Sequence, residues 1–434
     1  MNPEKIPSEK TEKKDSRTLK GMRDIFGDEY YAYQGFYEKA TEIAIYYGFQ
    51  PIETPVLEEE SLFISGVGEG TDIVDKEIYA FKTKGGDRVA LRPEGTVSIM
   101  RAYFENGFQS QPQPVMLYFY GPLFRHDKPQ RGRYREFRQF DLEIIGTSKS
   151  IADAMIIKLS LLILEEAGLK NLKLELNSIG DKECRTEYRK ELVSYYKKHL
   201  KDVCGDCRER LKTNPLRLLD CKNPECRPIK NEAPNAISFL CTPCKAHFKE
   251  LLEYLEMMEI TYEINHNLVR GLDYYSRTVF EISNRDDGLE ASALAGGGRY
   301  DYLARRLGSK RDTPAVGGAI GVDRVLLSTG ATAPHSRLLK KPKVFFIQLS
   351  FDAKLKSMQV IEILRKAKVP LAQSISKDSL ATQLAIAERL KVPYTIILGQ
   401  REALENTVIV RNMNNRSQEV MPIKELGEYL KNLK

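Results

Sequence analysis

The sequence predicts an α+β protein: an antiparallel sheet flanked by helices, with a helical, cysteine-bearing insertion and a separate C-terminal α/β domain. Three observations carry that expectation. From Leu19 to about Gly168, amphipathic helical stretches alternate with short runs rich in aromatic and β-branched residues. Six of the seven cysteines fall between 204 and 244, inside a charged, helical stretch. Beyond 343 a regular strand–helix alternation sets in.

The opening residues, MNPEKIPSEKTEKKDSRT, mix both charge signs around no apolar centre. They read as a disordered charged tail over 1–17, and as neither a signal nor a transit peptide. Residues 31–47 have the periodicity of an amphipathic helix. QPIETPVLE is extended and broken by Pro51 and Pro55. RVALRPEG reads as a strand and VSIMRAYFEN as a helix. PVMLYFYGPLFRH and YREFRQFDLEIIG read as two strands, joined by the basic connection DKPQRGR over 127–133. Residues 151–168 form a strong helix. Residues 182–250 are helical, charged and cysteine-bearing, and look inserted. Strand character returns at YEINHNLVRGLDYYSRTVFEI. AGGGRYDYLARRLG and AVGGAIGVDRVLLSTG each lead from glycines into a helix. The expected partition is a main domain over 18–330, a linker over 331–342 and an α/β domain over 343–434.

Composition narrows the function classes. Hydrophobic residues make up 42% of the 434, and the formal net charge is +7. The charge is spread out, which suits a nucleic-acid partner without requiring one. No apolar run reaches transmembrane length, so no membrane is expected and a cytoplasmic location is. In that setting clustered cysteines read as metal ligands before disulfides. One structural Zn²⁺ is expected, with Cys204 and Cys207 as one knuckle, Cys241 and Cys244 as the other, and Cys221 and Cys226 as alternative ligands. Cys184 stands apart and reads as a structural thiol.

The chemistry-bearing residues sit at strand ends. Arg125, Arg133, Gln139 and Glu143 fall on the two neighbouring strands and their basic connection. Arginine suits bidentate phosphate contact, so this ribbon would hold a phosphate beside a small cation; the plainer reading is a solvated ribbon with salt bridges. In LRPEGT, Thr96 reads as a helix N-cap and Glu94 as a surface acid. GGGRYD and GVGEG lack the Lys-Ser/Thr ending of a phosphate loop. Gly296–Gly298 read instead as places where backbone approaches something closely. Arg324, in the first turn of a helix, is placed to grip a phosphate tail. RGLDYY crowds Arg270, Asp273, Tyr274 and Tyr275 at the mouth of a strand. That suits a ligand both charged and aromatic; the plainer reading pairs Arg270 with Asp273 to order the turn. His126 and His266 have no nucleophile partner at a suggestive spacing and read as structural.

The order TPVLE, LRPEGT, FRHDKPQRGRYREFRQFDLE, LVRGLDYY, GGGRYD and GVDR resembles the histidyl-tRNA synthetases, a class II aminoacyl-tRNA synthetase family. The resemblance spans roughly 18–330, and 343–434 fits the family's anticodon-binding domain. It implies attachment of L-histidine to tRNA(His) through a histidyl-adenylate, with ATP and Mg²⁺, by a homodimer joined near Pro55. It implies that Arg125 binds the ATP α-phosphate, that Arg324 grips the γ-phosphate, and that Arg270 faces the histidine carboxylate and the α-phosphate. It implies histidine contacts from Glu94, Gly95, Thr96, Gln139, Glu143, Tyr274 and Tyr275. Gln130 and Arg133 lie in the loop that approaches the tRNA acceptor end, and Arg133 also falls among the ATP-binding positions. Two features depart from the pattern: Asp323, where many class II enzymes carry Glu, and the six-cysteine insertion. The alternative is a non-catalytic histidine-sensing regulatory subunit of ATP phosphoribosyltransferase. Such paralogues lack the C-terminal domain and lose phosphate-binding arginines, whereas residues 343–434, Arg125, Arg270 and Arg324 are all present. A further alternative is an RNA-binding protein on an inactive synthetase domain.

Overall fold

The computed structural model describes residues 17–68, 70–290, 293–338 and 340–432. The tail expected over 1–17 therefore lies, except for Arg17, outside the described residues. The chain divides into two units, Met1–Ser336 and Arg337–Lys434. In chain order the first holds α1 (Gly27–Tyr46), β1 (Gln50–Pro51), β2 (Leu57–Glu59), α2 (Glu60–Val67), β3 (Tyr79–Lys82), β4 (Arg88–Leu91), α3 (Thr96–Glu105), β5 (Val115–Phe124), β6 (Glu136–Ile145), α4 (Ser150–Glu166) and β7 (Leu172–Ser178). Next come α5 (Lys182–Lys198), α6 (Gly205–Thr213), α7 (Arg227–Asn231), α8 (Thr242–Met257), β8 (Glu263–Ile264), β9 (Ser276–Asn284), β10 (Ala295–Arg299), α9 (Leu303–Arg306), β11 (Ala315–Gly321) and α10 (Val322–Thr329).

Eight strands form the main sheet in the order β1-β5-β6-β11-β10-β9-β7-β8. The pairings are antiparallel except at the two edges, where β1 runs parallel to β5 and β8 to β7. A small antiparallel sheet, β2-β4-β3, stands beside it.

The period of two along β6 divides its side chains between two faces. Phe140, Leu142 and Ile144 enter the core that also holds Phe36 of α1 and Ile156 and Ile157 of α4. Helix α4 buries apolar residues on nearly every side, as expected of a helix enclosed between layers. Gln139, Asp141 and Glu143 turn to the opposite face. A second core occupies that face, with Val97 and Ile99 of α3 and Tyr274, Tyr275 and Tyr300. The polar run of β6 therefore lies beside a core without being filled by it.

The glycines of AGGGR and AVGGAIG, read from sequence as lead-ins to helices, are strand residues in β10 and β11 at the centre of the sheet, buried except for Gly321. Gly297 faces Gly318 and Gly298 faces Gly317 across the two strands. A strand of glycines packs poorly by itself. Here the missing side chains leave room for side chains from neighbouring elements to cross the sheet.

Helices α5 to α8 build the insertion. Its core is thin: Tyr188, Leu192, Tyr196, Leu218 and Leu219, with Cys207, Cys221 and Cys226 packed among them.

The second unit contains β12 (Val344–Gln348), α11 (Phe351–Lys366), β13 (Leu371–Gln373), α12 (Leu380–Arg389), β14 (Tyr394–Leu398), α13 (Gln400–Glu405), β15 (Thr407–Asn412), β16 (Gln418–Pro422) and α14 (Leu426–Asn432). Its sheet runs β13-β12-β14-β15-β16, parallel through the first three strands and antiparallel after. Central β12 is apolar on both faces: Val344 and Phe346 meet one core, Phe345 and Ile347 the other. Among the described residues, no helix is long and apolar enough to cross a membrane.

Candidate active site

A cavity of about 750 Å³ opens over the polar face of β6 and the glycines of β10 and β11. Its two ends carry opposite charge.

The acidic end begins where β4 turns into α3. Glu94 accepts hydrogen bonds from the Thr96 N–H (3.1 Å), the Val97 N–H (2.7 Å) and the Tyr274 hydroxyl (3.1 Å). It satisfies the first donors of α3 with its own carboxylate. This overturns the expectation of a surface acid and of Thr96 as N-cap. Gly95 occupies the cap position and Thr96 is already helical. The freed Thr96 hydroxyl donates to Glu143 Oε1 at 2.6 Å, and the Tyr300 hydroxyl donates to Oε2. Glu143 fits because position 317 has no side chain: a Cβ there would lie 1.7 Å from Oε2. Between Gln139 and Glu143 on the same strand face, Asp141 Oδ1 is buried without a hydrogen-bond partner among the described residues.

Burial raises the proton affinity of all three acids. Burial pushes Glu143 up to about 8. Burial, and then Glu143 and Glu94 as neighbours, hold Asp141 well above the usual carboxylate range. Burial also raises Glu94. A ligand bringing positive charge or N–H donors would let them ionise. Aromatic walls flank the acids: Tyr274 and Tyr275 at 4.7 Å between ring centroids, and Tyr274 against Tyr300 at 5.7 Å.

The basic end is built on strand and helix termini. Arg125, just past β5, donates from Nε to the Pro93 carbonyl (2.8 Å) and stands 5.3 Å over the Phe137 ring. Arg324, in the first turn of α10, donates to the carbonyls of Gly132 (3.1 Å) and Ala293 (2.8 Å). Burial, with Arg133 and Arg125 as like-charged neighbours, pushes Arg324 down to about 10. Arg270 pairs with Glu281 at 2.8 Å, and its buried Nε has no partner among the described residues. The alternative pairing of Arg270 with Asp273 does not occur: Asp273 binds Arg185 (3.3 Å) and Arg306 (3.0 Å). Arg270 crosses the sheet over Gly296, where a Cβ would lie 2.6 Å from Nη1.

The connection between β5 and β6 closes this end. Arg133 pairs with Asp127 at 3.1 Å and borders the cavity. Its N–H bonds the Gln130 carbonyl at 2.9 Å in a tight turn. Gln130 itself is not among the lining residues. Asp323 has a packing explanation. It accepts from the Arg138 N–H (2.7 Å) and the Tyr33 hydroxyl, and so ties α10 to β6 and α1.

Sequence reasoning passed over Asp141, Tyr300 and Glu281. The alternation of QFDLE placed Asp141 on the face of Gln139 and Glu143, and that signal was available. Nothing local pointed to Glu281 or gave Tyr300 of GGGRYD its role.

The cysteines require a larger correction. Cys204, Cys207, Cys221 and Cys226 form one group, and Asp181, Cys184, Cys241 and Cys244 another; within each, the ligand atoms lie within 4.8 Å of one another. The single site combining Cys204 and Cys207 with Cys241 and Cys244 is not formed, and Cys184 does not stand apart. The reason is topological: α5 leaves and α8 returns at one place, while 221 and 226 fold back onto the start of α6. Cys204 and Cys221 border the cavity.

Residues 21–180 and 230–325 match the histidyl-tRNA synthetase family, and residues 343–433 match the anticodon binding domain family. A histidine–tRNA ligase of Dehalococcoides mccartyi is 42% identical over 410 residues, covering 94% of this chain and 97% of that one. The crystal structure of apo S. aureus histidyl-tRNA synthetase is 30% identical, with a TM-score of 0.79 over 96% of this chain and all of that one. A Bacillus halodurans structure described as an ATP phosphoribosyltransferase regulatory subunit/histidyl-tRNA synthetase shares the fold, at 23% identity and a TM-score of 0.63 over 88% of this chain and 98% of that one.

Proposed function

The chain belongs to the histidyl-tRNA synthetase family and is an ATP-dependent histidine–tRNA ligase of class II architecture; we propose that the two ends of its cavity divide that reaction between them. The observation carrying this reading is the segregation of like charges inside one buried cavity, with Arg324 pushed down to about 10 and Glu143 up to about 8. Each end also keeps a buried polar atom without a partner among the described residues, Asp141 Oδ1 at one and Arg270 Nε at the other.

The acidic end receives L-histidine. Glu94, Asp141 and Gln139 accept from the ammonium group. Glu143, Thr96 and Tyr275 face the imidazole, whose N–H donates and whose other nitrogen accepts. The small Gly95 leaves that wall open. The basic end receives ATP: Arg125 and Arg270 at the α-phosphate, Arg324 and Arg133 toward the tail. A carboxylate oxygen of histidine forms a bond to the α-phosphorus, the bond to the bridging oxygen breaks, and pyrophosphate leaves. The fixed guanidinium groups offset the charge that gathers there. A terminal ribose hydroxyl of tRNA(His) then attacks the adenylate carbonyl and AMP departs.

Mg²⁺ accompanying ATP supplies further neutralisation of phosphate charge, and Glu77 and Asp127 are the acids bordering the basic end that could hold it. The thiols of Cys204, Cys207, Cys221 and Cys226 suit one structural Zn²⁺. Residues 343–433 grip the anticodon region, and Gln130 and Arg133 approach the acceptor end. A homodimer is supported by exposed Val56 and Leu57 beside Pro55, and the protein works in the cytoplasm. The histidine-sensor reading is the weaker one, since the second unit and all three arginines are present.

Histidine-dependent ATP–pyrophosphate exchange, followed by charging of tRNA(His), tests the proposal. Histidine binding with no exchange would favour the sensor and overturn it.

A further inference from the structure

We propose that Asp181, Cys184, Cys241 and Cys244 form a second metal site, for Zn²⁺ or another thiophilic divalent ion, which staples together the two ends of the insertion. It does not depend on the first thiol group being occupied.

The four ligand atoms already have nearly the required spacing. Asp181 Oδ2 lies 3.2 Å from Cys244 Sγ and 3.5 Å from Cys241 Sγ, and all four ligand atoms lie within 4.8 Å of one another. Tetrahedral zinc with three thiolates and one carboxylate needs ligand–ligand edges of roughly 3.6–3.8 Å. The ion enters with shifts of about an ångström or less. Three cysteines at one point also leave an odd thiol after any disulfide, whereas a metal uses all three.

The surroundings orient the ligands. Asp181 Oδ1 caps α5 by accepting the N–H groups of Glu183 and Cys184, both at 3.1 Å, which turns Oδ2 toward the thiols. The Cys241 N–H donates to Cys184 Sγ at 3.0 Å, an arrangement that favours a thiolate acceptor. Two helices begin here: Cys184 lies in the first turn of α5, Cys241 occupies the N-cap position of α8 and Cys244 lies in its first turn. Their positive ends add to the same preference. Gly180, at φ +69°, closes the flank. A Cβ there would lie 2.4 Å from Cys184 Cβ and 3.2 Å from its sulfur.

The first group repeats the plan. Cys204 occupies the N-cap position of α6, Cys207 lies in its first turn, and the Cys204 N–H donates to Cys226 Sγ at 3.2 Å. Two Cys-x-x-Cys helix starts, each donating an N–H to a third sulfur, are more than chance packing of thiols.

The staple has a mechanical consequence. Cys184 and Cys241 stand 57 positions apart, so the ion closes the insertion into a loop. The next residue, Arg185, donates to the Tyr275 carbonyl (2.8 Å) and to Asp273 (3.3 Å). The ion thereby holds the turn that presents Tyr274 and Tyr275 to the cavity. On binding, the three thiols release their protons to solvent.

The test uses the full-length, untagged chain produced with added Zn²⁺ and measures metal per chain by mass spectrometry. The expected result is two equivalents in the wild type, one in Cys244→Ala and one in Cys207→Ala. If Cys244→Ala keeps all the zinc of the wild type, the second site is refuted and the first stands. If Cys207→Ala keeps all of it, the first is refuted and the second stands. Less than about a tenth of an equivalent in the wild type refutes both. In case Cys244→Ala fails to fold, Asp181→Asn keeps the helix cap and removes the charged ligand. Titrated with Co²⁺ in a Cys207→Ser background, it should show a shifted visible d–d envelope and affinity lower by on the order of tenfold or more. Unchanged spectrum and affinity would overturn the assignment.

Discussion

The two ends of the cavity are both crowded with like charge, and they relieve it in different ways. At the basic end a guanidinium cannot shed its proton near neutrality, even when burial and then like-charged neighbours push Arg324 down to about 10. Relief there comes from backbone carbonyls at Pro93, Gly132 and Ala293 and from two acids, Glu281 on Arg270 and Asp127 on Arg133. At the acidic end relief comes from protons, since Glu143 titrates at about 8 and Asp141 lies well above its usual range. On the function proposed above, one end is a fixed anion receptor and the other a cation receptor gated by pH.

The largest expected effect lies at the fixed end. Arg270→Ala should lower the adenylation rate at saturating substrates by on the order of 10²–10³, because a preorganised donor is lost where two anions meet. Thermal stability should hardly change, and Arg270→Lys should restore only part of the rate, since it lacks the fork. Early melting with a rate within about threefold of wild type would make Arg270 a structural residue instead.

At the gated end, Glu143→Gln keeps the size and removes the charge. Histidine KM should rise about a hundredfold, within the range for breaking a buried charged pair, while ATP KM stays within about twofold. Equal losses for both substrates would erase the division between the ends.

The pH profile sharpens the same contrast. Between about pH 7 and 9 histidine KM should fall up to about tenfold as Glu143, near 8, loses its proton, while ATP KM stays flat; Glu143→Gln should remove that dependence. Stability should move the other way. The folded value lies above the ordinary 4.5, so the folded chain binds the extra proton between about 4.5 and 8. Its contribution is complete below 4.5 and lost as pH rises through 8. Thermal melts of the ligand-free protein across that window check the sign.

The smallest effect is Thr96→Val, which removes one hydroxyl donor to Glu143. A single hydrogen bond of about 1 kcal/mol corresponds to roughly fivefold in histidine KM, with kcat little changed. No change in KM would mean that Glu143 does not rely on that bond.

Much of this architecture was legible from local pattern. YREFRQFDLEIIG was legible as a strand from its aromatic and β-branched residues, while its two faces were told apart in the structure. The apolar run over 151–168 announced a strong helix. The order of LRPEGT, RGLDYY, GGGRYD and GVDR pointed to the family. Those features are local, because periods of two and 3.6 and the stereochemistry of turns act over a few residues. The glycines of β10 and β11 were harder, since their purpose is room for Glu143 and Arg270, which come from elsewhere in the chain.

What the sequence determined alone is therefore most of the helices, the aromatic-rich strands and the chemical kinds of residue at their ends. Tertiary structure decided which distant residues meet. Spacing alone suggested one site joining Cys204 and Cys207 to Cys241 and Cys244. The fold returns α8 to the start of α5, so that Cys241 and Cys244 meet Asp181 and Cys184 instead. It likewise gave Arg270 to Glu281 and left Asp273 to Arg185 and Arg306. The physical reason is that contacts across tens of residues depend on where packed elements bring the chain back, and no local period encodes that return.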